Sequence, residues 1–404
     1  MLENINNATT FEQIVEIRQQ GHLENHRNDN NLERVLVSIY KEYTHFLFEL
    51  LQNADDSKAT DIAIRLEEKK LIFWHNGSKN FDLRDVIAIT GVGAGTKNNE
   101  INKIGKFGIG FKSVFSITDS PQIFSKDYCF KIKHFLVPQK ISRDKEVNPE
   151  GTTFVLPLKN KEKSVFEIYS EVKEALHKLN SNAFMFLNNI INIDIDIPNE
   201  NYKNCLIKKI MPADDNSYHR LTVFNKEHEV LEDFIVFSRP LSFNLNLKIS
   251  IAYGIQEKDG KLSIIPLNNR NLSVYFFTEM VTNLKFIIDG PFQTSSTRES
   301  VDESSNHNKK VLKEISGLYR QSVRTLKKEG YLDEQLIEIL PINKSFADTN
   351  FVYSSLYTES KILFSKEPLL PTNIKNAPYS KSEDSLLALD HKIINLVYQS
   401  KDLL

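Results

Sequence analysis

The sequence predicts an α+β protein, and three observations carry that reading. Apolar residues recur at helical spacing through residues 11–52, two strand signals end at the turn dipeptide Asn76-Gly77, and a strand-rich stretch from about residue 190 closes in a long helical pattern. At 404 residues the chain exceeds one core of ordinary size, and a prior of roughly 150 residues per domain gives two or three domains.

Val35, Leu36, Ile39, Tyr40, Phe46, Leu47, Leu50 and Leu51 set the helical period of the opening segment. "TDIAIRL" and "KKLIFWHNG" follow as strands. A helix start near Asp85 runs into "TGVGAGTKNNEIN", a polar stretch with three glycines that reads as a mobile loop or lid. In "IGKFGIGFKSVFSITD" glycines lead directly into a short helical pattern, and "YCFKIKHFLV" and "GTTFVLPL" read as strands. The helix "SVFEIYSEVKEALHKLNSNAFMFL" closes a first unit, 1–188. A second unit, 189–330, carries "INIDIDI", "RLTVF", "DFIVFSRP", "LKISIAYGI", "LSVYFFT" and "LKFIIDGPF" and ends in the helix "NKKVLKEISGLYRQSVRTLKKEG". Residues 331–404 read as a C-terminal extension or the opening of a further domain.

A hydrophobic content of 40% and a charged content of 26% are those of an ordinary folded chain, and the net charge of -2 gives no global attraction to nucleic acid or membrane. Cys129 and Cys205 have neither zinc-site spacing nor a disulfide framework and are expected to be inert thiols in a reducing compartment. The N-terminus has no apolar core of signal-peptide length, and no stretch approaches the ~18 apolar residues of a spanning helix. A cytoplasmic chain without a membrane partner is expected. No Gly-x-Ser-x-Gly elbow occurs for acyl transfer.

Chemistry enters at "FELLQNADDSKAT". Glu49 and Asn53 are four apart and Asn53 and Asp56 three apart, so a helix here lines three polar groups on one face while Phe48, Leu50 and Leu51 pack. That face is either solvated or a site. "GVGAGTK" has Gly95-Thr96-Lys97 where a P-loop needs Gly-Lys-Ser/Thr, and "GKFGIG" lacks the preceding core strand of a dinucleotide fingerprint. What remains is glycines entering a helix N-terminus, which let backbone N–H groups approach an anion closely; a tightly turned packing loop is the other reading.

Taken in order, "FELLQNADD", "IGKFGIGFKSVFSITD" and "EGTTFVLPLK" resemble the three nucleotide motifs of the GHKL ATPases, the superfamily of DNA gyrase, MutL, the histidine kinases and the ninety-kilodalton heat-shock chaperones. The middle motif is nearest to the chaperones. With "HNGSKNF" and the Gly-Thr-Lys before the glycine loop, the array is similar to the sacsin-like branch over about residues 30–160. "GPFQTSSTRESVDESSNHNKKVLKEI" resembles the chaperones' middle-domain segment built around Ser-Arg-Glu. The resemblance implies a two-layer α/β sandwich, the Bergerat fold, with a lid over Gly91 to Lys103, followed by an α+β transducer-like middle domain.

It also implies ATP and Mg2+ as cofactors. Glu49 takes the position of the general base and Asn53 that of the magnesium ligand. A carboxylate can orient water for in-line attack, and a single amide oxygen leaves magnesium free to keep waters and phosphate oxygens. Asp56 matches the acidic position that supports the adenosine side or the loop, whereas Asp55 matches no role and is expected to be solvated. Gly105, Gly108 and Gly110, with the N–H groups of Phe107, Ile109 and Phe111, would wrap the phosphates, with Lys97 and Lys112 as charge partners. Thr152 would help hold adenine through its hydroxyl, and Arg298 would reach the terminal phosphate. One departure stands out: His75-Asn76-Gly77 replaces the Asp-x-Gly-x-Gly whose Asp accepts the adenine amino group, and only Gly77 is retained. The available acceptors are a neutral His75 nitrogen and the Asn76 side-chain oxygen.

Two function classes follow. One is a magnesium-dependent ATPase with slow turnover, a switch for a protein partner or effector, either chaperone-like or in an antiviral genome-defence assembly as similar bacterial domains suggest. An ATP-dependent homodimer and a nucleic-acid partner are compatible with it. The other is a nucleotide-binding scaffold that hardly hydrolyses and acts through protein contacts. A histidine-kinase reading needs a phosphoacceptor on a dimerising helical pair, and His22, His26 and His45 lie in no recognisable pair of that kind.

Overall fold

The computed structural model describes residues 5–27, 45–91, 110–145, 147–179, 185–268, 270–294, 301–372 and 378–385. The chain divides into two compact units, residues 1–209 with 222–232, and residues 210–221 with 233–404. The fold is mixed α+β, with a large mixed sheet.

In the first unit, helices α1 (Phe11–Arg27) and α2 (His45–Asp56) precede strands β1 (Asp61–Glu67) and β2 (Lys70–His75). Helix α3 (Leu83–Ile89) and a 3-10 helix (Gly110–Ser116) lead to β3 (Gln122–Ser125), β4 (Tyr128–Lys133), β5 (Val137–Lys140) and β6 (Thr152–Pro157). Helix α4 (Val165–His177), β7 (Asn192–Ile197) and β8 (Tyr202–Pro212) complete it. Neighbours run β8–β7–β1–β2–β6–β3–β4–β5, antiparallel except for the parallel pair β1 and β7.

Alternation sets the faces. Ile62, Ile64 and Leu66 of β1 are buried, as are Leu71, Phe73 and His75 of β2, and the register pairs Ile62 with His75, Ile64 with Phe73 and Leu66 with Leu71. All six therefore share one face. On β6, Leu156, Phe154 and Thr152 pair with Leu71, Phe73 and His75 and continue it. Phe46, Leu47, Leu50, Leu51 and Ala54 form the buried stripe of α2, each large side chain contributing about 1.5–3 kcal/mol by leaving water. Two helix starts are fixed by reciprocal capping boxes, Asp82 with Asp85 on α3 and Ser164 with Glu167 on α4.

Strand β9 (His219–Phe224) divides its residues between the two units, as do the end of β8 and the start of the strand that follows β9. The second unit contains β10 (Val230–Leu241), β11 (Asn244–Lys258), β12 (Lys261–Ile265), β13 (Asn271–Val274), β14 (Phe276–Val281) and β15 (Ile287–Asp289). Their order is β14–β13–β15–β11–β10, with β12 also paired to β11. Helix α5 (Asn306–Lys328) packs on β11, where the buried Tyr253 hydroxyl shares a hydrogen bond of 2.8 Å with Ser322 Oγ. The stretch after residue 330 supplies α6 (Glu334–Ile339) and α7 (Phe351–Lys366). Helix α7 packs on α5 through Tyr319 and Ser360, 2.6 Å apart, and the Arg320–Glu359 ion pair.

Both cysteines are free. Cys205 is buried, and burial, reinforced by Asp194, pushes its pKa up to about 12, so the thiol stays protonated and unreactive. Among the described residues no helix is long and apolar enough to cross a membrane.

Candidate functional site

Helix α2 has two characters. Behind its apolar stripe, Glu49 and Asn53 are half-buried and Asp56 is exposed, the spacing that puts all three on one face. The carboxylate of Glu49 closes on Gly110: a Cβ built on that glycine would lie 2.0 Å from Glu49 Oε2 and 2.6 Å from its Cδ. The carboxylate fills the space a side chain would take, so any larger residue there would have to displace Glu49 from this position. The first polar motif and the last glycine of the second motif are thus in contact. Phe111, the next residue, packs on Phe154 with ring centroids 5.7 Å apart, and Phe154 in turn stacks on His75 at 6.3 Å.

That row of contacts leads to the third motif. His75 pairs with Thr152 across β2 and β6, and Thr152 with Ser125 across β6 and β3. The Thr152 and Ser125 hydroxyls share a hydrogen bond of 2.7 Å, and the Phe81 N–H donates to Ser125 Oγ at 3.0 Å. Gly151 holds φ at +72, and a Cβ there would meet the His75 carbonyl oxygen at 2.1 Å, so the chain can enter β6 only through glycine. The Gly77 N–H donates to His75 Nδ1 at 3.1 Å, and Gly77 lies against Ser57, whose hydroxyl caps the Asn53 carbonyl at 2.8 Å. The end of α2 and the His75-Asn76-Gly77 turn are therefore one assembly.

Three residues are occupied in ways the sequence reading did not anticipate. Asn76 Oδ1 accepts the N–H groups of Thr60 and Asp61 at 2.9 and 3.0 Å, and its Nδ2 donates to Thr60 Oγ1 and Asp61 Oδ2, so the side chain staples the start of β1. Lys112 is buried and donates to the carbonyls of Ile89, at 2.8 Å, and Phe135. Burial, with Arg18 adding repulsion, holds its pKa well below the ordinary lysine value. Asp55 is the plain correction. Expected to be solvated, it is 6% exposed and accepts the N–H groups of Asn188, Asn189 and Ile190 at 3.0, 2.6 and 3.3 Å. Helical spacing held the signal, since Asp55 lies four residues after Leu51 on the apolar face.

Arg18 and Ser125 also escaped notice. Arg18 reaches from α1 to the Ile87 carbonyl at 3.0 Å and Thr90 Oγ1 at 3.3 Å, and burial lowers its pKa to about 10. With Lys112 it brings two basic side chains to the last carbonyls of α3. Lys97, Gly105, Phe107, Gly108, Ile109 and Arg298 lie outside the described residues, as does the lid segment beyond Gly91.

Burial lowers the pKa of His75 from 6.5 to about 4. Its folded value is below its unfolded one, so between those two values the unfolded chain takes up the proton first. Stability is unaffected above the window and is lost as pH falls through it, by about 3 kcal/mol in all. His75→Asn is expected to remove that part of the acid sensitivity, read as a flatter melting temperature between pH 7 and pH 4.

Residues 69–140 match the family described as the Sacsin domain. In an alignment of 334 positions that covers 73% of this chain and 12% of the other, the chain is 25% identical to Protein NO VEIN of Arabidopsis thaliana. It is also similar to human Sacsin, 32% identical in an alignment of 111 positions that covers 23% of this chain and 2% of that one. The chain therefore spans only a small part of the length of either relative.

Proposed function

We propose that the first unit binds a magnesium-bound purine nucleoside triphosphate, ATP in the superfamily its motifs resemble, and hydrolyses it slowly as a conformational switch for a protein partner. The observation that carries this reading is the Glu49 carboxylate lodged against Gly110, which brings a proton acceptor to the last glycine of the second motif. Asn53, one helical turn on, would supply a single amide oxygen to the metal. Magnesium, when bound, would neutralise charge on the terminal phosphates. Glu49 would accept the proton of the attacking water, while Gly110 keeps the backbone close enough for its N–H groups to face phosphate oxygens. The hydroxyls of Thr152 and Ser125, with His75, would face the base. The short Sacsin-domain match and the similarity to Sacsin point to the same class.

Calorimetry with ATP and with GTP, with and without magnesium, tests this on wild type and Asn53→Ala. Magnesium-dependent binding is expected in the wild type and at least about tenfold weaker binding in Asn53→Ala, with slow phosphate release from the wild type. Equal binding by the two proteins would remove Asn53 from the site. A weakly hydrolysing scaffold is the second reading, and one observation favours it: the Lys112 ammonium, offered by the sequence to the phosphates, is spent on two backbone carbonyls.

A further inference from the structure

We propose that the base subsite at the end of β2 selects a purine with an oxygen at C6, guanine or hypoxanthine, over adenine; this rests on the reading of the first unit as a nucleotide site. Hydrogen-bond geometry fixes the polarity of His75. Because Nδ1 accepts the Gly77 N–H, its lone pair is in use and the ring proton must sit on Nε2. A cationic ring would give up the Gly77 bond but keep this N–H, so Nε2–H is a donor in either state. The turn enforces this arrangement, since a Cβ on Gly77 would come within 2.8 Å of Nδ1 and 2.9 Å of Ser57.

Nε2 has no hydrogen-bond partner among the described residues. The residue is only 2% exposed, so a ligand group that reaches this nitrogen would meet it nearly free of water. The other candidate acceptor is spent, because both Asn76 side-chain atoms are bound to Thr60 and Asp61. What remains along these strand ends is one fixed donor, His75 Nε2–H, beside the adaptable hydroxyls of Thr152 and Ser125.

An exocyclic amino group needs an acceptor at this position and an exocyclic oxygen needs a donor. The Asp of the superfamily motif meets the first need, and His75 meets the second. Adenine would set two donors against each other with little water to relieve them, a mismatch of about 10- to 100-fold in affinity.

The test is calorimetry of the whole 404-residue chain with ATP, ITP and GTP at fixed magnesium, because ITP differs from ATP only at C6 and its neighbouring N1. ITP is expected to bind wild type about tenfold or more tighter than ATP, and His75→Asp to reverse the order. ATP binding as tightly as ITP, including through a shifted pose that offers N1 to the imidazole, would overturn the proposal. So would a preference that His75→Asp leaves unmoved. If His75→Asp fails to fold, the wild-type ratio still decides, and His75→Phe, which removes the donor, is expected to bring ITP and ATP within about twofold. Binding of none of the three would sink the nucleotide reading itself, and this inference with it.

Discussion

Glu49→Gln is expected to bind nucleotide within about threefold of wild type and to lower turnover by about 10²- to 10⁴-fold. The amide keeps the shape of the carboxylate, so it still fills the space against Gly110, and the melting temperature should hardly move. It cannot take a proton from water, and its NH₂ presents a donor where the attacking water needs an acceptor. Glu49→Ala is the less informative variant, because it opens a void beside Gly110 as well as removing the base. Phosphate release under saturating nucleotide, with the affinity measured on the same sample, separates the two functional readings. Unchanged turnover in Glu49→Gln would exclude Glu49 as the base, and a wild type without turnover would leave the scaffold.

Local features were legible in the sequence, and long-range ones were not. The β1–β2 pair could be read because alternation is a period-two signal written in consecutive residues, from Ile62 to Leu66 and from Leu71 to His75. The stripe of Glu49, Asn53 and Asp56 was equally local. The parallel pairing of β1 with β7 joins segments some 130 residues apart, and no periodicity encodes which strand meets which. Lys112 shows the same limit at the site. A lysine after a glycine-rich run reads as a phosphate partner, and only the fold reveals that the Ile89 and Phe135 carbonyls reach its ammonium first. His75 was recognised as a departure, but its polarity depended on a bond two residues away that composition cannot display.

Asp55→Ala is expected to cost about 2–4 kcal/mol. Its carboxylate accepts three consecutive backbone N–H groups, of Asn188, Asn189 and Ile190, as the chain turns toward β7. Each bond to a charged acceptor contributes about 1.5–3 kcal/mol. The three share one group and do not add, and better helix propensity returns about 0.7 kcal/mol to alanine. The Asn189 side chain also donates to the Asp55 carbonyl at 2.9 Å, so the contact ties both ends of the same residue to one loop. Asp55→Asn should fall between, because one amide oxygen can still accept while the NH₂ opposes the remaining donors. Chemical unfolding followed by circular dichroism measures both, and an alanine variant within about 0.5 kcal/mol of wild type would mean the loop finds water instead. Glu49, Asn53 and Asp56 lie on a different face of the same turns. The loss should therefore register in stability before it registers in nucleotide affinity, which is how a clamp differs from a ligand.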